Sequence, residues 1–129
     1  MILALLQNGL RRAVTRISGD PATLRDYVFA RDVGALIASE VLGCGNSLAS
    51  GGIRLLAAGK PSSLREICGM VEGLLGRKVY VAYERGPQNA LHNTYCPSAS
   101  ALAGCATGLK EGIHQVFLRL TSGAALLQR

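Results

Sequence analysis

Apolar positions along this chain recur in two rhythms, one helical and one extended. Residues 2–10 are apolar at helical spacing and end in Arg11-Arg12, cations that suit the C-terminal end of a helix. Residues 14–17 alternate as a short strand, and Gly19-Asp20-Pro21 then imposes a turn. Residues 27–29 read as a second strand. Asp32 is placed to cap a helix reaching to about residue 42, with Val33, Leu36, Ile37 and Val41 on one face. The glycine- and serine-containing stretch 43–52 is the best candidate for an internal break.

The second half is patterned more sharply. Residues 53–58 form a buried-type strand that stops at Gly59-Lys60-Pro61. Ser63-Leu64-Arg65-Glu66 is a capping box, in which hydroxyl and carboxylate satisfy each other's backbone amides. Behind it, Leu64, Ile67, Cys68, Val71, Leu74 and Leu75 make one apolar stripe, ended by Gly76. Residues 78–83 alternate as a strand, 84–97 form an irregular loop, and 98–102 a short helical turn. A last helix, 109–120, places Leu109, Ile113, Val116, Phe117 and Leu120 on one face. Helices and strands alternate, so the fold class is α/β, with residues 1–120 as one unit and 121–129 as a frayed tail. No internal repeat is evident.

Composition adds three constraints. At 129 residues the chain is long enough for a real core, and its mean hydropathy of +0.27 points to apolar faces meant for a missing partner or domain. No apolar run approaches the roughly 20 residues that span a bilayer, and residues 1–6 lack the flanks of a signal peptide, so no membrane partner and a cytoplasmic location are expected. Cys44, Cys68, Cys96 and Cys105 form no C-x-x-C pair and lie at no ligand spacing from His92 or His114, which argues for free buried thiols over a metal site. The net charge of +6 comes from scattered cations with only 5% aromatic residues. A nucleic-acid partner is therefore not expected, whereas a phosphorylated small ligand suits the charge.

The run from Gly19 to Val33 carries the main candidate residue. It delivers Arg25 to the mouth of a strand, where a planar fork of donors can grip a phosphate. Taken alone, the residues favour an ion pair with Asp26 or Asp20 in the turn. Arg85, after the strand that ends near Tyr83, is a second candidate, and a plain surface arginine is the alternative. Gly69, Gly73 and Gly76 resemble a dinucleotide fingerprint only superficially, because they fall inside an amphipathic helix, where close helix packing explains them. None of the tyrosines at 27, 80, 83 and 95 has a lysine four residues on, and no nucleophile–base set can be assembled, so no catalytic residue is assigned.

Gly19-Asp20 followed by Arg25-Asp26-Tyr27-Val28 resembles the "G-D-x-x-x-x-R-D-[FY]-V" segment in the C-terminal half of extended short-chain dehydrogenase/reductase enzymes, the NAD-dependent nucleotide-sugar epimerases and dehydratases. Further blocks follow in the same order. Leu55 to Gly59 with Ser63-Leu64-Arg65-Glu66-Ile67 is similar to a strand, glycine and "S-[LI]-x-E-[IL]". Gly76-Arg77-Lys78-Val79 resembles "L-G-R-K-V", and Gly104-Cys105 through Leu109 to Ile113 resembles the closing "G-W-x-P…L-x-E-G-[IL]". Cys105 departs from the tryptophan, and Gln88 from the aspartate of an Arg-x-x-Asp motif that would begin at Arg85.

The resemblance implies the C-terminal portion of an extended short-chain dehydrogenase fold, UDP-glucose 4-epimerase-like, without the N-terminal Rossmann half and its glycine-rich NAD loop. It implies a UDP- or other nucleotide sugar as ligand, with Arg25 and then Arg85 on the diphosphate. NAD is the cofactor of the full-length family, and none is expected on this chain alone. A missing Rossmann half or a second copy is the implied protein partner. Epimerase (isomerase), dehydratase and reductase chemistry all stay open, as do a truncated or split gene and a remnant that keeps the fold without binding sugar.

Overall fold

A computed structural model describes residues 1–42, 57–84 and 107–126. Helix α1 (Ile2–Arg11) turns Leu5, Leu6 and Gly9 inward and stops where Arg12 enters the left-handed region at φ 57°. Strand β1 (Val14–Ser18) follows, burying Thr15 and Ile17 and exposing the residues between. Strand β2 (Leu24–Arg25) and helix α2 (Ala30–Val41) come next. Strand β3 (Ser62–Ser63) leads into helix α3 (Leu64–Leu75), then strand β4 (Tyr80–Glu84) and helix α4 (Leu109–Leu126).

β1 and β4 pair in parallel, from Val14 opposite Tyr80 to Ser18 opposite Glu84. β2 and β3 pair antiparallel, Leu24 with Ser63 and Arg25 with Ser62. One core joins the three helices to β1: Leu5 and Leu6 of α1, Ile17, Leu64, Ile67 and Val71 of α3, and Ile113 of α4. The buried Thr15 hydroxyl accepts a 3.1 Å hydrogen bond from Asn8 Nδ2. Gly9 is the point of closest approach, since a β-carbon there would lie 2.5 Å from Leu75 Cδ1. The Arg77 guanidinium then closes the C-terminal end of α1, donating to the carbonyls of Gly9 (2.8 Å) and Leu10 (2.9 Å).

The capping box of α3 is fully formed. Ser63 Oγ accepts from the Glu66 amide at 3.2 Å, Glu66 Oε2 accepts from the Ser63 amide, and Gly76 ends the helix at φ 64°. Ser63→Ala is expected to cost about 1 kcal/mol, a fall of roughly 2–6 °C in Tm read by thermal melting. The hydrogen bonds from the Ser63 amide and hydroxyl hold the Glu66 carboxyl below its ordinary value of 4.5. Because the folded value is depressed, this contribution is complete above pH 4.5 and is lost as the pH falls through the lower folded value. Glu66→Gln should therefore flatten the acid limb of a Tm-against-pH curve below pH 4.5 and leave its neutral limb parallel to that of the wild type.

Several sequence expectations move. The strand expected at 27–29 forms instead at Leu24–Arg25, because Tyr27 packs against the core and Phe29 against α4 rather than joining a ladder. Asp32 is not the N-cap of α2. The helix starts earlier, at Ala30 after Phe29, and the Asp32 carboxylate accepts from the Thr107 amide (3.0 Å) and hydroxyl (2.9 Å). The apolar face of α2 is partly uncovered, with Ile37 55% and Val41 73% exposed, in line with apolar faces meant for a missing partner or domain. β4 begins at Tyr80 rather than at residue 78, since Lys78 Nζ and the Val79 amide both donate to Glu72 and close the end of α3. Gly69 and Gly73 lie in α3, but not by reason of close packing: a β-carbon at either would meet nothing within 4 Å. α4 continues past residue 120 to Leu126. Residues 57–58 form no strand, and the rest of the 53–58 strand, the break at 43–52, the loop after Glu84 and the helical turn at 98–102 lie outside the described residues.

Candidate functional site

The site is built from three short stretches between regular elements: 24–29, 57–60 and 107–109. Asp26 ties the first to the second. Its Oδ1 accepts from the Ala58 amide and its Oδ2 from the Gly59 amide, each at 2.9 Å. Gly59 sits at φ 69°, a conformation that glycine adopts without strain, and Pro61 fixes the exit of the turn. Asp32, in α2 directly after the first stretch, ties that helix to the third stretch through Thr107. Two aspartates thus spend their carboxylates on main-chain and hydroxyl donors, and the frame they hold surrounds a cleft.

The cleft has two adjoining cavities that share Tyr27, Val28, Phe29 and residues 107–109 as a wall. The apolar one, about 150 Å³, is closed by Ile2 and Leu3 of α1 and by Gly112 and Val116 of α4. Gly112 matters to its shape, because a β-carbon there would stand 3.1 Å from the Phe29 ring. The second cavity, about 190 Å³, is more polar and is completed by Ala58 and Lys60.

Arg25 stands half-buried on β2, opposite Ser62. Burial pushes the Tyr27 phenol above its ordinary value, and the charge of Arg25 acts in the opposite sense. The Asp26 carboxylate accepts from the 58–59 amides and Asp20 from the Ala22 amide at 2.7 Å, and Arg25 is itself engaged by an interaction within the fold. Arg85, and with it Gln88 and Cys105, lies outside the described residues. The residue that sequence reasoning passed over is Lys60, noted only as part of a strand-ending Gly-Lys-Pro. The pairing of Asp26 with the 58–59 amides had no local signal, since it spans more than thirty positions.

The described residues offer no other chemistry of comparable weight. Burial raises the Cys68 thiol, which is a poor arrangement for a nucleophile. No group of three or more His, Cys, Asp or Glu residues could hold a metal ion among the described residues. No helix among them is long and apolar enough to cross a membrane. Gly69 and Gly73 lie inside α3 and Gly76 at its C-terminal end, so these three glycines do not form the strand-to-helix turn that holds a pyrophosphate.

No family model matches the chain, and no curated protein matches it by sequence. Solved structures do. The chain is similar to MoeE5, solved in complex with UDP-glucose and NAD, at a TM-score of 0.76 and 23% identity over 96% of this chain and 42% of that one. It is similar to the epimerase Mth375 of Methanothermobacter thermautotrophicus at a TM-score of 0.74 and 20% identity, over 98% of this chain and 38% of that one. A GDP-6-OMe-4-keto-L-xylo-heptose reductase from C. jejuni aligns at a TM-score of 0.62 and 14% identity, over 88% and 35%. The chain spans about 40% of the length of the first two structures. It shares the fold of a portion of MoeE5 and Mth375.

Proposed function

We propose that this chain is the nucleotide-sugar-binding part of an NAD-dependent sugar-nucleotide epimerase or dehydratase, and that it recognises substrate without performing the redox step. What supports this reading is a cleft walled by Tyr27 to Phe29, in the segment that follows Arg25, in a chain whose fold is similar to that of MoeE5, solved in complex with UDP-glucose and NAD. Arg25 supplies a bidentate fork to the ligand diphosphate, and Arg85 a second, weaker contact. The buried aspartate ties keep the cleft in one shape before ligand arrives, which lowers the ordering cost of binding.

The redox step belongs to groups that these residues do not supply. In the full-length family NAD would supply the hydride acceptor, and a tyrosine–lysine pair the accompanying proton transfer. Here Tyr27, Tyr80, Tyr83 and Tyr95 are followed four residues on by Arg31, Glu84, Pro87 and Ala99. A second reading, a remnant that keeps the fold and binds no sugar, draws support from Gln88 and Cys105, which stand where the family pattern has aspartate and tryptophan.

Thermal unfolding separates the two. UDP-glucose and free UDP should raise Tm selectively over a polyanion control, by an amount that corresponds to about 2.7 kcal/mol at a hundredfold excess over Kd. Arg25→Ala should abolish most of that shift while leaving the ligand-free Tm within a few degrees of the wild type. A wild-type transition that neither UDP ligand moves overturns the proposal in favour of the remnant.

A further inference from the structure

We infer that Lys60 is an anion-holding residue of the cleft, taking an oxyanion of the bound ligand, a phosphate or a sugar carboxylate. The inference rests on the cleft reading and adds to it a residue and a ligand chemistry that the motif resemblance does not assign. Lys60 contributes the only charged side chain among the described residues that line the polar cavity. The carboxylates nearest in the frame of the cleft form hydrogen bonds with other groups, Asp26 with the Ala58 and Gly59 amides and Asp32 with Thr107, and neither lines the cavity. Lys60 makes no hydrogen bond or ion pair among the described residues, so its ammonium is not committed to a structural role there. The cavity wall otherwise consists of Tyr27, Val28, Phe29, Ala58 and residues 107–109, which bring no formal charge. A concave site whose own lining carries one cation and no carboxylate favours an anionic group.

Position supports the same role. Lys60 is held from both sides, by the Asp26-bound turn at 58–59 on one flank and by Pro61 and the β2–β3 pairing on the other. An ordinary surface lysine extends from a stretch with no such fixing. Here the backbone is pinned, while the long side chain keeps the freedom to follow the ligand. An ammonium acts as a point charge and tolerates several oxyanion geometries, in contrast to the planar fork of Arg25.

Isothermal titration of the full chain tests this, comparing wild type, Lys60→Ala, Lys60→Arg and Lys60→Glu. The probes are uridine, UDP, UDP-glucose, UDP-glucuronate and inorganic pyrophosphate. Lys60→Ala should weaken the anionic ligands by about tenfold or more, Lys60→Glu further, and Lys60→Arg little, with uridine unaffected throughout. Equal losses for UDP and both UDP-sugars identify a phosphate as the group held. A loss confined to UDP-glucuronate identifies the sugar carboxylate. Unchanged affinity of Lys60→Ala for every anionic probe that the wild type binds overturns the inference and leaves the cleft reading standing. A wild type that binds pyrophosphate through Lys60 but no uridine nucleotide overturns the cleft reading and leaves Lys60 as the anion site. A wild type that binds none of the probes overturns both.

Discussion

Replacing Ile67 by alanine should lower the unfolding free energy by about 2–5 kcal/mol, enough to remove a large share of the roughly 5–15 kcal/mol that holds a typical domain together. Ile67 is fully buried at the centre of α3, and the core around it draws on Leu5 and Leu6 of α1, Ile17 of β1 and Ile113 of α4. No one neighbour can collapse into the space, because they are held on three separate elements, α1, β1 and α4. The penalty thus combines lost burial with a residual cavity. Ile67→Val removes a single methylene and should cost only about 0.5–1.5 kcal/mol. Urea unfolding of the two variants checks both values, and an alanine loss below about 1 kcal/mol would mean that α3 is not the centre of the core.

The second large effect is expected at Asp26. Asp26→Ala leaves the Ala58 and Gly59 amides without their acceptor. An orphaned buried donor costs about 1–3 kcal/mol, and because this site is only half-buried, water can reach part of it, so a total of roughly 1–3 kcal/mol is expected for the pair. Asp26→Asn keeps one acceptor oxygen and should fall between the alanine variant and the wild type. The functional consequence is larger than the loss of stability. Without the carboxylate, the turn at 58–60 is no longer tied to the stretch that carries Arg25, and UDP-glucose affinity should drop in both variants. Denaturant unfolding and ligand titration on the same preparations separate the two effects. A folded Asp26→Ala protein that binds UDP-glucose as tightly as the wild type would contradict the account of the site.

The elements that local chemistry specifies were legible in the sequence. The capping box at Ser63 and Glu66, the inward stripe of α3 and the stop at Gly76 all depend on residues within one or two turns of each other, and all form as read. The shifted elements were moved by partners distant in sequence. Asp32 has the chemistry of a helix cap, but Thr107 claims its carboxylate. Residues 27–29 have the composition of a strand, yet Phe29 is drawn onto Gly112 of α4 and the pairing strand forms two residues earlier. The exposed face of α2 shows the limit of periodicity: it identifies an apolar face and cannot say whether this chain covers it. The same holds at the site. Arg25 stood out through its motif, whereas Lys60 has no motif and becomes a candidate only when the fold closes 57–60 against 107–109.

The central claim is that one cleft, walled by residues 24–29, 57–60 and 107–109, takes a sugar nucleotide. Backbone amide chemical shifts of the isotope-labelled chain, followed by NMR during titration with UDP-glucose, test it most directly. The account predicts saturable shifts concentrated at Arg25 to Phe29, Ala58 to Lys60 and Thr107 to Leu109, with the outer face of β1 and β4 unmoved. Saturable shifts confined to another surface, or a well-dispersed spectrum that UDP-glucose leaves unchanged at millimolar concentration, would contradict it.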